Sequence, residues 1–418
     1  MTSRERILCA LNHKEADRIP LDFGSVTVTG MHYSCVAALR EYYGLEKHPI
    51  KVFEPCQMLG LIEDDLKEAL GIDTEGVFSR TNMFGIRNTD WREWKQDNGD
   101  VVLVVGGLNT TEDTHGNHYI HPCGDTSAPA CAKMPKNGYY FDAISRQEPF
   151  DDIEELNPED NLEEFEPISG AALDEFAADI DAASKTGRAV MVSFGGTALG
   201  DIALVPGLTL KHPKGVRDVA EWYMATATAP DYIKYVFDRQ TDIALENLKQ
   251  LKARSGDQID ALFICGTDFG TQISTFCSPD TFCDLYMPYY KKVNDWIHTN
   301  TAWKTFKHSC GAIEPFIPLL IRSGFDILNP VQCSATGMDP VQLKQRYGRD
   351  IVFWGGGVDT QRLLPYGTPA EVKKQVKERC EIFGRDGGFV FNAIHNLQAN
   401  TPTENIIAMF EALQEFKQ

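Results

Sequence analysis

From about residue 188 onward the chain repeats one unit: a short apolar run ending in Gly or polar residues, then an amphipathic stretch with helical spacing. Runs this short suit buried strands, and a helix after each strand returns the chain to its starting edge, so the alternation restricts the fold to βα units on a parallel sheet. Candidate strands lie at 189–194, 261–265, 303–307, 325–328, 351–354 and 388–391, with IPLDFG at 19–24 an earlier one. Seven such runs predict an α/β protein of the TIM (β/α)8 barrel type, a fold that runs beyond about 250 residues as one unit. The 418 residues are therefore read as one elaborated domain, 1–418. Helical patterns at 230–254, 279–299, 313–323 and 369–383 fill the gaps, and Pro230, Pro279, Pro369 and Pro402 stand where first-turn prolines belong.

Two stretches break the rhythm. Residues 85–145 hold an apolar run at 101–105 and short segments rich in Asn, Gly and Thr, which predicts a small β-rich insertion near the barrel mouth. Residues 146–187 read as an acidic connector and a helix. Within them, 147–166 carry ten acidic residues and no basic one, the pattern of a solvated connector or an acidic docking face.

Sixty Asp plus Glu against forty Lys plus Arg leave a formal charge of −20, which repels nucleic-acid phosphates and anionic lipid surfaces. The first twenty residues carry charges throughout and no apolar core of a leader, and no later run approaches a membrane span. A soluble, cytoplasmic protein is expected, with no nucleic-acid or membrane partner. Its eleven cysteines are then reduced thiols, some available as metal ligands.

Function in such barrels collects where strands end. Asp268 and Gln272 follow the strand at 261–265, HSCG follows 303–307, NPVQC follows 325–328, Trp354 opens WGGGVDTQ, and NAIHNLQ follows 388–391. His308 and Cys310 carry the sharpest signal. Alternate residues leaving a strand point the same way, so an imidazole and a thiolate reach one ion, and Zn²⁺ accepts both. The bland alternative is a hydrogen-bonded loop histidine beside a small buried thiol. A third ligand has two candidates, His395 after the last strand and Cys333. Asp268 is a base, a substrate anchor, a fourth ligand or a helix cap. Asn329, Gln332, Asn396 and Gln398 either hydrogen-bond a ligand or satisfy loop backbone groups, and Asp22, Gln272 and Trp354 are further candidates for substrate binding.

The segments RERILCALNHKEADRIPLDFG, HSCGAIEPFIPLLIRSGFDILNPVQ, FWGGGVDTQRLLPYGTPAEVKKQV and NTPTENIIAMFEAL together resemble the uroporphyrinogen decarboxylase superfamily, over nearly the whole chain except 85–170. The resemblance implies a TIM barrel and one of two activities: decarboxylation of uroporphyrinogen, or zinc-dependent methyl exchange with corrinoid proteins. The decarboxylase branch carries an Arg-rich MRQAGR-type motif after the first strand to hold a substrate with eight carboxylates. Here no arginine occurs between Gly24 and Ala38, so that activity is not expected.

The methyltransferase branch is similar in placing His-x-Cys after one strand and a Cys after the last as zinc ligands. His308 and Cys310 match the pair, and alignment on TPTENI puts His395 where the family has cysteine. The resemblance thus implies Zn²⁺ as a cofactor and a partner that carries a corrinoid (cobalamin), since no stretch here resembles the DxHxxG cobalamin signature. It implies transfer of methyl from a small donor, such as a methoxylated aromatic, to cobalt(I), with Asp268 delivering a proton to the departing oxygen. The second-step direction, from methylcorrinoid to a thiol or folate, stays open. A metal-free barrel that binds a small molecule or partner is the reading of another class.

Overall fold

The computed structural model describes residues 1–194 and 198–416. Seven parallel strands, Thr74–Val77, Ala189–Ser193, Ala261–Cys265, Lys304–His308, Ile327–Asn329, Val352–Trp354 and Phe389–Val390, lie side by side in chain order. The first strand segment closes the ring. Leu21 bridges Phe391 in parallel, Asp22 N–H donates to Phe391 O at 3.0 Å, and on the other edge Asp73 N–H donates to Leu21 O at 2.8 Å. The result is a TIM-like barrel with additional β-sheets.

One barrel strand, Thr74–Val77, is absent from the sequence-based set. Its TEGV has no apolar run: Glu75 faces outward to Arg188 at 3.1 Å and to Lys67, and only the strand's ends are buried. Gly76 is required by close approach, because a Cβ there would stand 2.6 Å from Ser25 O.

The barrel interior is filled by Met191, Ala261, Phe306, Ile327, Val352 and Trp354, with Ile7, Ala10 and Leu11 of the N-terminal helix Ser3–Leu11 packed onto the same cluster. Arg6 and Arg18 of that end both pair with fully buried Asp73. These contacts seal one end of the barrel and leave the other for the strand-end loops.

The outer helices follow their caps. Pro230–Ser255 starts on Pro230 and buries Ile233, Val236, Phe237, Ala244, Leu248 and Leu251 at three- and four-residue spacing. Pro369–Gly384 begins on a Thr368–Glu371 capping box. Prolines account for the departures from expectation. The pattern at 279–299 divides into Pro279–Leu285 and Met287–Asn300 because Pro288 has no N–H for the ladder. That at 313–323 is a 3₁₀ turn Glu314–Phe316 followed by the short helix Ile317–Arg322. Pro402 is the N-cap of Thr403–Glu415 rather than its first helical residue.

Two four-stranded sheets lie outside the barrel. One joins Leu59–Gly60, Ile50–Glu54, Val101–Val104 and Arg92–Lys95, so it draws two strands from before residue 85. The other is an antiparallel run of Thr110–Glu112, His118–Ile120, Ala132–Met134 and Asp142–Ala143. Between these sheets and the helix Gly170–Ser184, part of the acidic run is consumed internally: Glu164 pairs at 2.6 Å with Arg217, whose side chain is 1% exposed. Among the described residues, no helix is long and apolar enough to cross a membrane.

Candidate metal centre and cavity

His308 ends its strand, and Cys310 follows in a turn held from three sides. Asp268 Oδ1 accepts Cys310 N–H at 2.6 Å, Gln332 Oε1 accepts Gly311 N–H at 2.8 Å, and Gly270 packs against the turn so closely that a Cβ would stand 2.7 Å from Ala312 N. Gly311 itself has φ +91°, which a side chain disfavours. The turn brings Cys310 Sγ to 3.4 Å from His308 Nε2. Zinc bonds of about 2.1 and 2.3 Å at a tetrahedral angle set such donors about 3.6 Å apart. His395 completes the group: ligand atoms of His308, Cys310 and His395 all lie within 4.8 Å of one another.

The two imidazoles are prepared differently. His308 Nδ1 meets Asn329 Oδ1 at 2.6 Å, and an amide oxygen only accepts, so Nδ1 carries the proton and Nε2 keeps its lone pair toward Cys310. Asn396 N–H donates to His395 Nδ1 at 2.8 Å, which leaves the neutral ring's proton on Nε2. His395 must give up that bond or turn its ring to ligate. Burial pushes both rings down to about 4, so both are neutral at pH 7. Burial, with Asp268 adding to it, holds the Cys310 thiol well above its usual range, and a bound cation is what would draw the proton off.

Behind the centre runs a chain of buried hydrogen bonds. Asn329 Nδ2 donates to Trp354 O at 2.9 Å, Trp354 Nε1 donates to Asp22 Oδ2 at 2.8 Å, and Thr74 Oγ1 donates to Asp22 Oδ1 at 2.7 Å. Asp22, Asn329 and Trp354, sequence candidates for substrate binding, are fully buried and none lines the cavity; Asn329 meets His308, and Trp354 and Asp22 lie behind it. Asn329→Ala is expected to weaken zinc affinity roughly 10–100-fold, the usual cost of losing a ligand's orienting partner, as read by chelator competition. Unchanged affinity would show that Asn329 does not orient a ligand.

The other candidates stand elsewhere. Asn396 is fully buried, accepts Gly30 N–H at 2.5 Å and donates to Thr27 O and Gln57 Oε1, one step behind the wall. Gln332 donates to Gln272 Oε1 at 2.9 Å, and Gln272 is exposed; neither lines the cavity. Cys333 lines a separate surface cleft with Asp339 and Arg379, away from the cluster.

His308, His395 and Asp268 open onto a cavity of about 400 Å³ walled by Phe53, Phe78, Phe194 and Phe263. Phe53 and Glu54 of the sheet strand Ile50–Glu54 and residues between 78 and 88 also line the cavity. Glu54, missed in the sequence, is 7% exposed there; its oxygens accept Cys56 N–H at 2.9 Å and Gln57 N–H at 2.8 Å. Burial pushes this carboxyl up to about 7. The alternation of Ile50, Val52 and Glu54 on the buried face was the available signal. Asp201 and Lys307 were also missed. Asp201 lines the cavity and accepts Gly266 N–H at 2.9 Å, while Lys307 lies fully buried behind it with Nζ donating to Thr267 O at 2.7 Å and His308 O at 2.5 Å.

Fold and site together define a (β/α)8-type barrel with a candidate His/Cys metal centre at the strand-end mouth. Residues 209–416 match the family described as uroporphyrinogen decarboxylase (URO-D), so this part of the chain is similar to that superfamily. Uroporphyrinogen decarboxylase from Coxiella burnetii (strain Dugway 5J108-111) is 33% identical over 88 residues, 20% of this chain and 24% of that protein. Uroporphyrinogen decarboxylase 2, chloroplastic, from Arabidopsis thaliana is 27% identical over 147 residues, 34% of each chain. The matches thus span a quarter to a third of these curated relatives. A solved structure described as a methyltransferase from Methanosarcina mazei aligns with TM-score 0.54 over 100% of this chain and 99% of that one; at 15% identity the likeness is one of fold.

Proposed function

We propose that the protein is a zinc-dependent methyltransferase that moves a methyl group from a small methylated donor, such as a methoxylated aromatic, to a corrinoid carried by a partner protein docked at the barrel mouth. The observation that carries this reading is the convergence of His308, Cys310 and His395 beside an apolar cavity large enough for a monocyclic ligand. The donor set of two neutral imidazoles and one thiol suits zinc. His308, Cys310 and His395 would hold the ion, whose Lewis acidity would make the methyl-bearing heteroatom a better leaving group.

The chain's own residues do the rest. Asn329 keeps the His308 Nε2 lone pair directed at the centre, and Asp268 anchors the backbone of Cys310 while facing the cavity. Phe53, Phe78, Phe194 and Phe263 give the reacting group an apolar surround. An ether oxygen leaves poorly without a proton, and two carboxyl groups that face the cavity can deliver one: Asp268, as expected from the sequence, and Glu54, which burial keeps partly protonated at neutral pH. Uroporphyrinogen fits poorly, because the described residues lining the cavity include no Lys or Arg to meet its carboxylates. Incubation with uroporphyrinogen is expected to yield no coproporphyrinogen.

The test combines purified zinc-loaded protein, a methoxylated aromatic and a corrinoid protein reduced to cobalt(I). Demethylated product is expected only when all three are present. Turnover of the ether by the enzyme alone would overturn the reading.

A further inference from the structure

Gln57 is a half-buried residue of the cavity wall that methyl transfer at the metal centre leaves without a task. It sits in the turn after the strand Ile50–Glu54, and that turn is held from within: Gln57 N–H donates to Glu54 Oε2 at 2.8 Å, and Cys56 Sγ donates to Phe141 O at 3.1 Å. The side chain is held as well. Asn396 Nδ2 donates to Gln57 Oε1 at 3.0 Å and to Thr27 O at 2.9 Å, while Asn396 Oδ1 accepts Gly30 N–H at 2.5 Å.

A glutamine amide has an accepting end and a donating end. Gln57 Oε1 is tied to Asn396 behind the wall, which leaves Nε2 on the cavity side. Nε2 keeps accessible surface and has no partner among the described residues. The acids of the cavity cannot use it up, because each is already engaged with a backbone N–H: Glu54 with Gln57, Asp201 with Gly266 and Asp268 with Cys310. A mostly apolar cavity orients its ligand through a few fixed polar groups, and a donor held in place beforehand loses little freedom on binding. Asn396 also donates its backbone N–H to His395 Nδ1 at 2.8 Å, so one buried residue braces both the free donor and a candidate metal ligand. A ligand with its ether oxygen at the metal centre would meet Gln57 with a second oxygen.

Resting on the methyl-transfer reading above, we propose that Gln57 is a specificity-determining residue: its Nε2 donates to an acceptor oxygen that the aromatic methyl ether carries besides the ether oxygen itself. Asn396 is the positioning residue that turns the amide this way. Ethers with no second acceptor leave the donor unmatched and bind less well.

Ligand-observed NMR titration of the purified full chain, with and without added zinc and with no corrinoid present, tests this. The probes are 3-methoxyacetophenone and 3-isopropylanisole, which has a methyl group in place of the ketone oxygen. In Gln57→Met and Gln57→Leu the affinity for the ketone relative to the isopropyl ether is expected to fall about five-fold, the size of one neutral hydrogen bond, while the isopropyl ether binds as before. A damaged wall would weaken both probes together. Loss of both in the two variants therefore overturns the proposal, as does an unchanged ratio or failure of the ketone to bind the unaltered protein. If the ratio falls while no ether yields product with reduced corrinoid protein, the methyl-transfer reading falls and recognition of an acceptor oxygen by Gln57 stands.

Discussion

His308→Ala and Cys310→Ala are each expected to strip the protein of its zinc, about one equivalent per chain before substitution, and to abolish methyl transfer. A site with three protein ligands loses both grip and geometry when one goes, so the loss should exceed the roughly 10–100-fold expected of the outer-shell change Asn329→Ala. His395→Ala belongs with this pair if its ring ligates. His395→Cys should retain the metal, because a thiolate there restores the set the family's resemblance implies, while its added negative charge makes the ion a weaker Lewis acid. Cys333→Ser should keep full zinc, as its thiol lies in a different cleft. Elemental analysis of anaerobically purified variants measures all five. Full zinc in both His308→Ala and Cys310→Ala would end the assignment. Full zinc in His395→Ala would show that the Asn396 N–H bond at 2.8 Å is that ring's whole role.

Glu54→Gln is expected to change how stability depends on pH. The wild-type carboxyl ionises near 4.5 when exposed and near 7 when folded, because burial penalises its charged form. Between those values the folded state binds more proton than the unfolded one. Stability contributed by the neutral acid is thus full below about 4.5 and is lost as pH climbs to about 7. The gap between the two pKa values corresponds to a loss on the order of 3 kcal/mol, since each unit is about 1.4 kcal/mol. Gln does not titrate, so urea unfolding at pH 5 and pH 8 should show the variant gaining on wild type by up to that amount. Parallel pH profiles would mean that Glu54 is solvated. The same variant should lower methyl transfer if this carboxyl serves as the proton donor.

The sequence by itself determined what depends on neighbours in the chain. Repeated apolar runs and amphipathic stretches marked six of the seven strands of the parallel sheet and the segment at 19–24 that closes it, and Thr368 with Glu371, or Pro230 at a first turn, set helix starts. His308 and Cys310 were legible because their spacing is local: two residues on from a strand end, the chain has few ways to separate them.

Tertiary structure decided what depends on partners far along the chain. Thr74–Val77 is a strand because Leu21 and Ala189–Ser193 supply its edges, not because TEGV favours one. The barrel brings His395, and not Cys333, to the HSCG turn, although both follow strands. Asp22 and Trp354 read as strand-end candidates in the sequence, and the barrel buries both side chains and bonds them to each other, behind Asn329 and His308. Glu54 sits on a strand outside the barrel, and only the packing of that sheet against the barrel places its carboxyl in the cavity wall, where burial shifts its proton affinity. Periodicity records which face of an element is buried; it carries no information about which other element covers that face.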